Sequence, residues 1–214
     1  MTYVKICGLT NLEDARHAAR CGADLLGFIF VASSPRYVEI EQARAIIAAL
    51  RAEGCQAFTV GVFADQPAPV IREAVSRCGL DRVQLHGQET PEDFSELDVP
   101  VIRAAHVRAR VRARVPWEDL LAWRAWAYLL DAYDPHKLGG TGQTWRWELL
   151  GARPLDAERI LVAGGLTPDN VAQAIRQARP WGVDVSSGVE AAPGRKDPAL
   201  VERFICTVRK ESER

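Results

Sequence analysis

No apolar stretch in this sequence approaches the ~20 residues that span a bilayer, so a membrane role is not expected. The start, MTYVKICGLT, lacks the basic residues and long apolar run of a secretory signal, and a cytoplasmic protein is expected. Charge of either sign is not in excess: 27 Lys and Arg against 28 Asp and Glu give a net −1. That balance offers nothing to nucleic acid or an anionic membrane. Cysteine is sparse, at 7, 21, 55, 78 and 206, odd in number and without a CxxC pair. Neither a disulfide framework nor a zinc knuckle fits that spacing. His17, His106 and His136 have no partners at ligand spacing, so no metal is expected. A GxxxxGK[ST] loop is absent, as is a GxGxxG after the first strand, which disfavours nucleotides. With no low-complexity linker either, residues 1–214 read as one domain.

Short apolar runs alternate with longer amphipathic stretches along the whole chain. Strands are predicted at 3–7, 24–30, 57–63, 82–86, 100–104, 127–131, 160–163 and 182–186. Helices are predicted at about 11–20, 41–52, 68–78, 91–96, 117–125, 145–149, 167–178 and 198–210. Thr10 with Glu13 fits a capping box, and Thr90-Pro91 and Thr167-Pro168 each set a capping hydroxyl before a proline. Eight strand–helix repeats point to a closed α/β barrel, the (β/α)8 TIM barrel, with an open doubly wound sheet as the alternative. GLTNLEDA at 8–15 and GLTPDNVA at 165–172 form a weak internal echo, each directly after a strand. The stretch 106–116 alternates arginines with small or apolar residues and reads as a solvated face.

Strand alternation sorts side chains by face. Val4 and Ile6 suit the helix layer, leaving Tyr3, Lys5 and Cys7 inside. Gln84 and His86, Asp131 beside Leu129, and Asp184 with Ser186 likewise face inward. Arg103 joins them if Ile102 points to the helices. Strands one and eight are neighbours in a closed barrel, so Lys5 and Asp184 are expected to pair, in preference to a Schiff-base role for Lys5. These polar groups gather at strand carboxyl ends, where barrel active sites form. Two glycine-rich loops, AGGLT (163–167) and SSGVE (186–190), follow strands seven and eight. Their backbone amides and the Ser186 or Ser187 hydroxyl suit a phosphate.

Eight segments in order identify a family: KICGLT (5–10), GFIF…SPRYV (27–38), VGVF (60–63), VQLHG (83–87), LLD (129–131), GGTGQTW (139–145), AGGLTPDNV (163–171) and GVDVSSGVE (182–190). The chain resembles phosphoribosylanthranilate isomerases along essentially its whole length. That resemblance implies an Amadori rearrangement of N-(5'-phosphoribosyl)anthranilate in tryptophan biosynthesis, without a cofactor. It implies Cys7 as general base, Asp131 as general acid and Arg36 at the anthranilate carboxylate. Gly164, Gly165, Ser186, Ser187 and Gly188 would cradle the phosphate, and Asp184 would lie near the substrate amine. Gln84 and His86, inward by alternation, are expected to line the site. The segment from Gly139 to Gly142 corresponds to a loop after strand six. The partner is a small phosphorylated molecule, and the protein is a monomer or homodimer. The thiol is expected to need nearby positive charge, with Lys5 as one source, to bring its pKa toward neutrality. Asp131 must instead keep its proton. Two rivals remain: another phosphosugar barrel enzyme, and a barrel that only binds phosphate ligands. A dual-activity isomerase would carry a carboxylate in place of Cys7.

Overall fold

Eight short parallel strands close on themselves in the computed structural model, which describes residues 1–94, 97–108, 115–133, 147–154 and 158–213. They are β1 (Tyr3–Cys7), β2 (Leu25–Ile29), β3 (Phe58–Phe63), β4 (Arg82–Leu85), β5 (Val101–Arg108), β6 (Ala127–Tyr133), β7 (Ile160–Val162) and β8 (Gly182–Val185). Closure rests on β1 pairing with β8 in parallel, with Lys5 opposite Asp184, which excludes an open sheet. The expected strands are all present, with ends shifted by one or two residues, except that β5 runs on to Arg108.

The helices are α1 (Leu12–Arg20), α2 (Ile40–Ala52), α3 (Ala68–Cys78), α4 (Trp117–Leu121), α5 (Val171–Ala178) and α6 (Pro198–Ser212). Between β4 and β5 the helix expected at 91–96 reduces to a 3-10 turn, Glu92–Phe94. The one expected at 145–149 is replaced by a 3-10 stretch at Trp147–Ala152, residues 145–146 lying outside the described ones. Pro91 and Pro100 bracket the first span, which must also fit its loops between Leu85 and Val101, and Pro154 closes the second. The α1 cap is one residue later than predicted: Asn11 Oδ1 accepts from the Asp14 amide at 2.8 Å, so Asn11 and not Thr10 caps the start of the helix. At Thr167 the hydroxyl accepts from the Asp169 amide at 3.3 Å, while α5 begins only at Val171. Unanticipated was a small hairpin after β8, β9 (Glu190–Ala192) with β10 (Arg195–Lys196).

Two apolar layers result. Val4, Ile6, Val83, Leu85, Val183 and Val185 pack outward beneath the helices. Leu25, Val60, Ile102, Ala104, Leu129 and Leu161 fill the barrel itself. Ile102 is therefore inside, and the conditional reading of Arg103 is corrected. Gln84 pairs in register with Ile102 and both face in, which turns Arg103 outward onto Glu89 (2.6 Å) and over the Trp123 ring (4.7 Å). Among the described residues no helix is long and apolar enough to cross a membrane.

Candidate active site

The inner layer ends in polar groups at the carboxyl ends of the strands. On β1, Lys5 is fully buried and donates to Asp184 Oδ1 at 2.9 Å, the pair foreseen across the closing strands. Cys7, 5% exposed, completes the same face. Gly27 on β2 is what lets these groups lie so close. A Cβ there would stand 2.9 Å from Cys7 Sγ and 3.1 Å from Lys5 Nζ.

Burial is the largest influence on the Cys7 thiol and raises its pKa above the ordinary value. Lys5, by charge and hydrogen bond, and Lys196 pull the other way, while Asp184 adds to the rise. The expectation that positive charge brings this thiol toward neutrality is corrected: desolvation outweighs Lys5. Burial likewise opposes the Lys5 ammonium, yet Asp184 and Cys7 more than offset it and its pKa rises.

On β6, Asp131 lies in register with His106 of β5, and a side chain on Gly164 would come within 2.8 Å of its Oδ1. Burial and then the charge of Asp184 raise the Asp131 pKa to about 7, against the Ala132 amide and Lys5. The carboxyl thus keeps a proton near neutrality. The same Lys5–Asp184 pair acts on Cys7 and on Asp131. His86 Nε2 stands 3.7 Å from Asp131 Oδ2, too long for a hydrogen bond. Burial, with His106, Lys5 and Arg103, lowers its pKa to about 3, so the imidazole is neutral. Gln84 Nε2 lies 3.4 Å from His86 Nδ1. Gln84 Oε1 and His86 Nε2 are buried without a hydrogen-bond partner among the described residues.

Gly164 (φ +87°) and Gly165 (φ +63°) make the turn after β7, and Asn170 ties it by bonds from its Nδ2 to the Gly165 carbonyl (2.9 Å) and from the Thr167 amide to its Oδ1 (2.8 Å). The echo near residue 8 has a physical basis, since Gly8 also turns with φ +75° directly after its strand. Ser187–Val189 form a 3-10 turn after β8, whose leading amides have no acceptor within the turn. A Cβ on Gly188 would fall 1.8 Å from the Leu166 carbonyl oxygen, so the two loops are in contact. Ser186 Oγ is buried without a partner among the described residues.

Arg36 does not pair with Glu39 or Glu41. It is 8% exposed and engages Glu190 through Nε (2.8 Å) and Nη2 (2.7 Å), beside Gly8. Lys196 also holds Glu190, at 2.8 Å, and donates to the Ser186 carbonyl at 3.1 Å. Glu190 and Lys196 come from the unforeseen hairpin, and neither they nor Gly27 carried a signal in spacing alone. The segment from Gly139 to Gly142 lies outside the described residues.

A family profile described as N-(5'phosphoribosyl)anthranilate (PRA) isomerase matches residues 4–207. The N-(5'-phosphoribosyl)anthranilate isomerase of Pelobacter propionicus is 48% identical over 207 residues, 96% of this chain and 94% of that one. The crystal structure of phosphoribosyl anthranilate isomerase from Thermotoga maritima is similar with a TM-score of 0.89 and 40% identity, covering 98% of this chain and 100% of that one. A phosphoribosyl anthranilate isomerase in complex with reduced 1-(o-carboxyphenylamino)-1-deoxyribulose 5-phosphate is similar with a TM-score of 0.82 and 37% identity, covering 98% of this chain and 100% of that one.

Proposed function

The chain belongs to the N-(5'-phosphoribosyl)anthranilate isomerase family of tryptophan biosynthesis, and from that premise we propose that Cys7 is its general base and Asp131 its general acid. The observation that carries this assignment is the placement of both groups at the carboxyl ends of β1 and β6, facing inward around one Lys5–Asp184 pair.

The phosphate of the substrate is held by the loops at Gly164–Gly165 and Ser186–Gly188, whose contact supports a single cradle. Arg36 meets the anthranilate carboxylate through Nη1, because Glu190 engages its other edge. Asp184 faces the substrate amine, and Gln84 and His86 line the wall near the acid. Asp131 gives its proton to the furanose ring oxygen, and the C1'–oxygen bond breaks as the nitrogen lone pair forms the protonated imine. The Cys7 thiolate then removes the C2' proton, and those electrons move to nitrogen, giving an enolamine. Tautomerisation yields 1-(o-carboxyphenylamino)-1-deoxyribulose 5-phosphate. The substrate's own nitrogen is the electron sink.

Base and acid are tuned in the same upward direction, so the productive pair, thiolate with carboxylic acid, is the minor form of the singly protonated state. Each unit between the two pKa values lowers its population about tenfold. The activity of the pair follows the singly protonated state as a whole. Its rate falls below about pH 7 and again above the elevated thiol pKa. All five cysteines are free thiols, which supports work in a reducing cytoplasm.

Loss of substrate fluorescence with purified protein tests the assignment. Cys7→Ala and Asp131→Asn should each lower kcat by about 100-fold or more. The wild-type kcat/KM should hold a plateau between the two limbs, and near wild-type rates in both variants would overturn the assignment.

A further inference from the structure

The mechanism leaves one cluster without a full role. His86, His106 and Asp131 stand at the carboxyl ends of β4, β5 and β6, three neighbouring strands. One donor atom from each lies within 4.8 Å of the other two, and His86 Nε2 is 3.7 Å from Asp131 Oδ2. We propose that these three side chains form a site for a divalent transition metal of the zinc class, and that occupancy reversibly silences the enzyme.

Two imidazoles and a carboxylate are a common donor set for such ions, with a fourth position open. Metal–ligand bonds of about 2.0–2.1 Å in a tetrahedron set donor atoms roughly 3.4 Å apart. His86 and Asp131 are already within a few tenths of an ångström of that spacing. His106 stacks on His86 with ring centroids 4.8 Å apart, and as stacked its lone pair does not converge on the other two donors. Convergence takes a turn of the His106 ring out of that stack.

The second observation is His86 Nε2 itself, a buried polar atom with no hydrogen-bond partner among the described residues and aimed at Asp131. Gln84 lies behind it as the outer partner that orients a metal-bound histidine. Turning the Gln84 amide over would place its unpartnered Oε1 on Nδ1–H of His86, leaving Nε2 with a lone pair for the ion. Lys5 and Arg103 oppose positive charge at His86, each being paired in turn with Asp184 and Glu89, so the counter-charge for the ion is the Asp131 carboxylate that faces it. Binding does not depend on the catalytic assignment. Silencing does, since it rests on Asp131 as the acid: a carboxylate held by a metal has no proton to deliver.

Cobalt(II) is the probe for binding and zinc(II) for inhibition, both on the whole chain without substrate carry-over. One equivalent of cobalt should develop the visible absorption of a low-coordinate nitrogen–oxygen site, and zinc should displace it. Zinc should inhibit, with activity restored by EDTA. His106→Gln should leave the metal-free rate unchanged, abolish the cobalt spectrum and raise the half-inhibiting zinc concentration at least about tenfold. Cys7→Ser should leave the cobalt spectrum intact. The proposal is overturned by the absence of a stoichiometric cobalt signal, by unchanged zinc inhibition in His106→Gln, or by a signal lost in Cys7→Ser. Cobalt bound at the cluster with undiminished turnover would overturn the silencing. The metal-free rate of Asp131→Asn reports separately on the acid assignment.

Discussion

Asp131 keeps its proton near neutrality because burial and the charge of Asp184 both oppose the carboxylate. A pKa raised on folding has a cost for stability. The folded state prefers the protonated group, so that contribution is complete below the ordinary value of 3.8 and is lost as pH rises through about 7. Its upper bound is about 4 kcal/mol, less whatever solvent reaches the partly exposed carboxyl. Asp131→Asn should therefore be the more stable protein at pH 8 by a few kcal/mol in urea unfolding, although inactive. The gap should narrow as pH falls below 7 and close near pH 4. A variant equally stable at all pH values would show that Asp131 is not strained by its setting. At this scale the inward placement of Cys7, Asp131 and Asp184 was legible from strand alternation. The sign of the Cys7 shift was not, because desolvation depends on the surrounding shell and not on neighbours in sequence. Arg36 shows the same limit: its partner Glu190 lies 154 residues away.

Strand ends and the loops after them make the site, and the glycines among them set its tolerances. Gly27 is the sharpest case, with Cys7 Sγ and Lys5 Nζ both within 3.1 Å of where a Cβ would sit. Gly27→Ala must displace one or both. It should lower kcat by about 10- to 100-fold with little change in KM, since misplacing a base by an ångström costs about that much. Steady-state kinetics decides this, and an unaltered kcat would mean that the crowding is relieved elsewhere. All the strands but β5 were readable from sequence to within two residues, since short apolar runs between polar stretches have one good use in a parallel barrel. Helices at 91–96, 117–125 and 145–149 were overread. Their apolar residues, among them Phe94, Leu120 and Trp147, are buried as helical ones would be, but on turns and one short helix. The β9–β10 hairpin was missed because EAAPGRK has no apolar alternation, and what it brings to the site is charge.

Closure joins these parts into one molecule, and the seam between β1 and β8 carries a buried ion pair. Such pairs add little over apolar packing, but breaking one strands a charge. Lys5→Met should lower unfolding stability by about 3–5 kcal/mol by leaving Asp184 unmatched. Lys5→Met with Asp184→Leu should recover most of the loss without restoring activity. Equal stability for the single and double variants in denaturant titration would contradict this view of the seam. The barrel and this pair followed from counting eight repeats and joining the last to the first. The cluster of His86, His106 and Asp131 could not be found that way. Its members are separated by whole strand–helix units, far beyond the short spacings that mark metal sites in sequence.

The most direct test is a crystal structure of this chain with reduced 1-(o-carboxyphenylamino)-1-deoxyribulose 5-phosphate bound. Cys7 Sγ should lie within about 4 Å of C2' and the Asp131 carboxyl within hydrogen-bond reach of the oxygen that closes the furanose in the substrate. The phosphate should rest on Gly164–Gly165 and Ser186–Gly188. Side chains of Cys7 and Asp131 that open onto separate cavities, or a phosphate anchored away from both loops, would contradict the account.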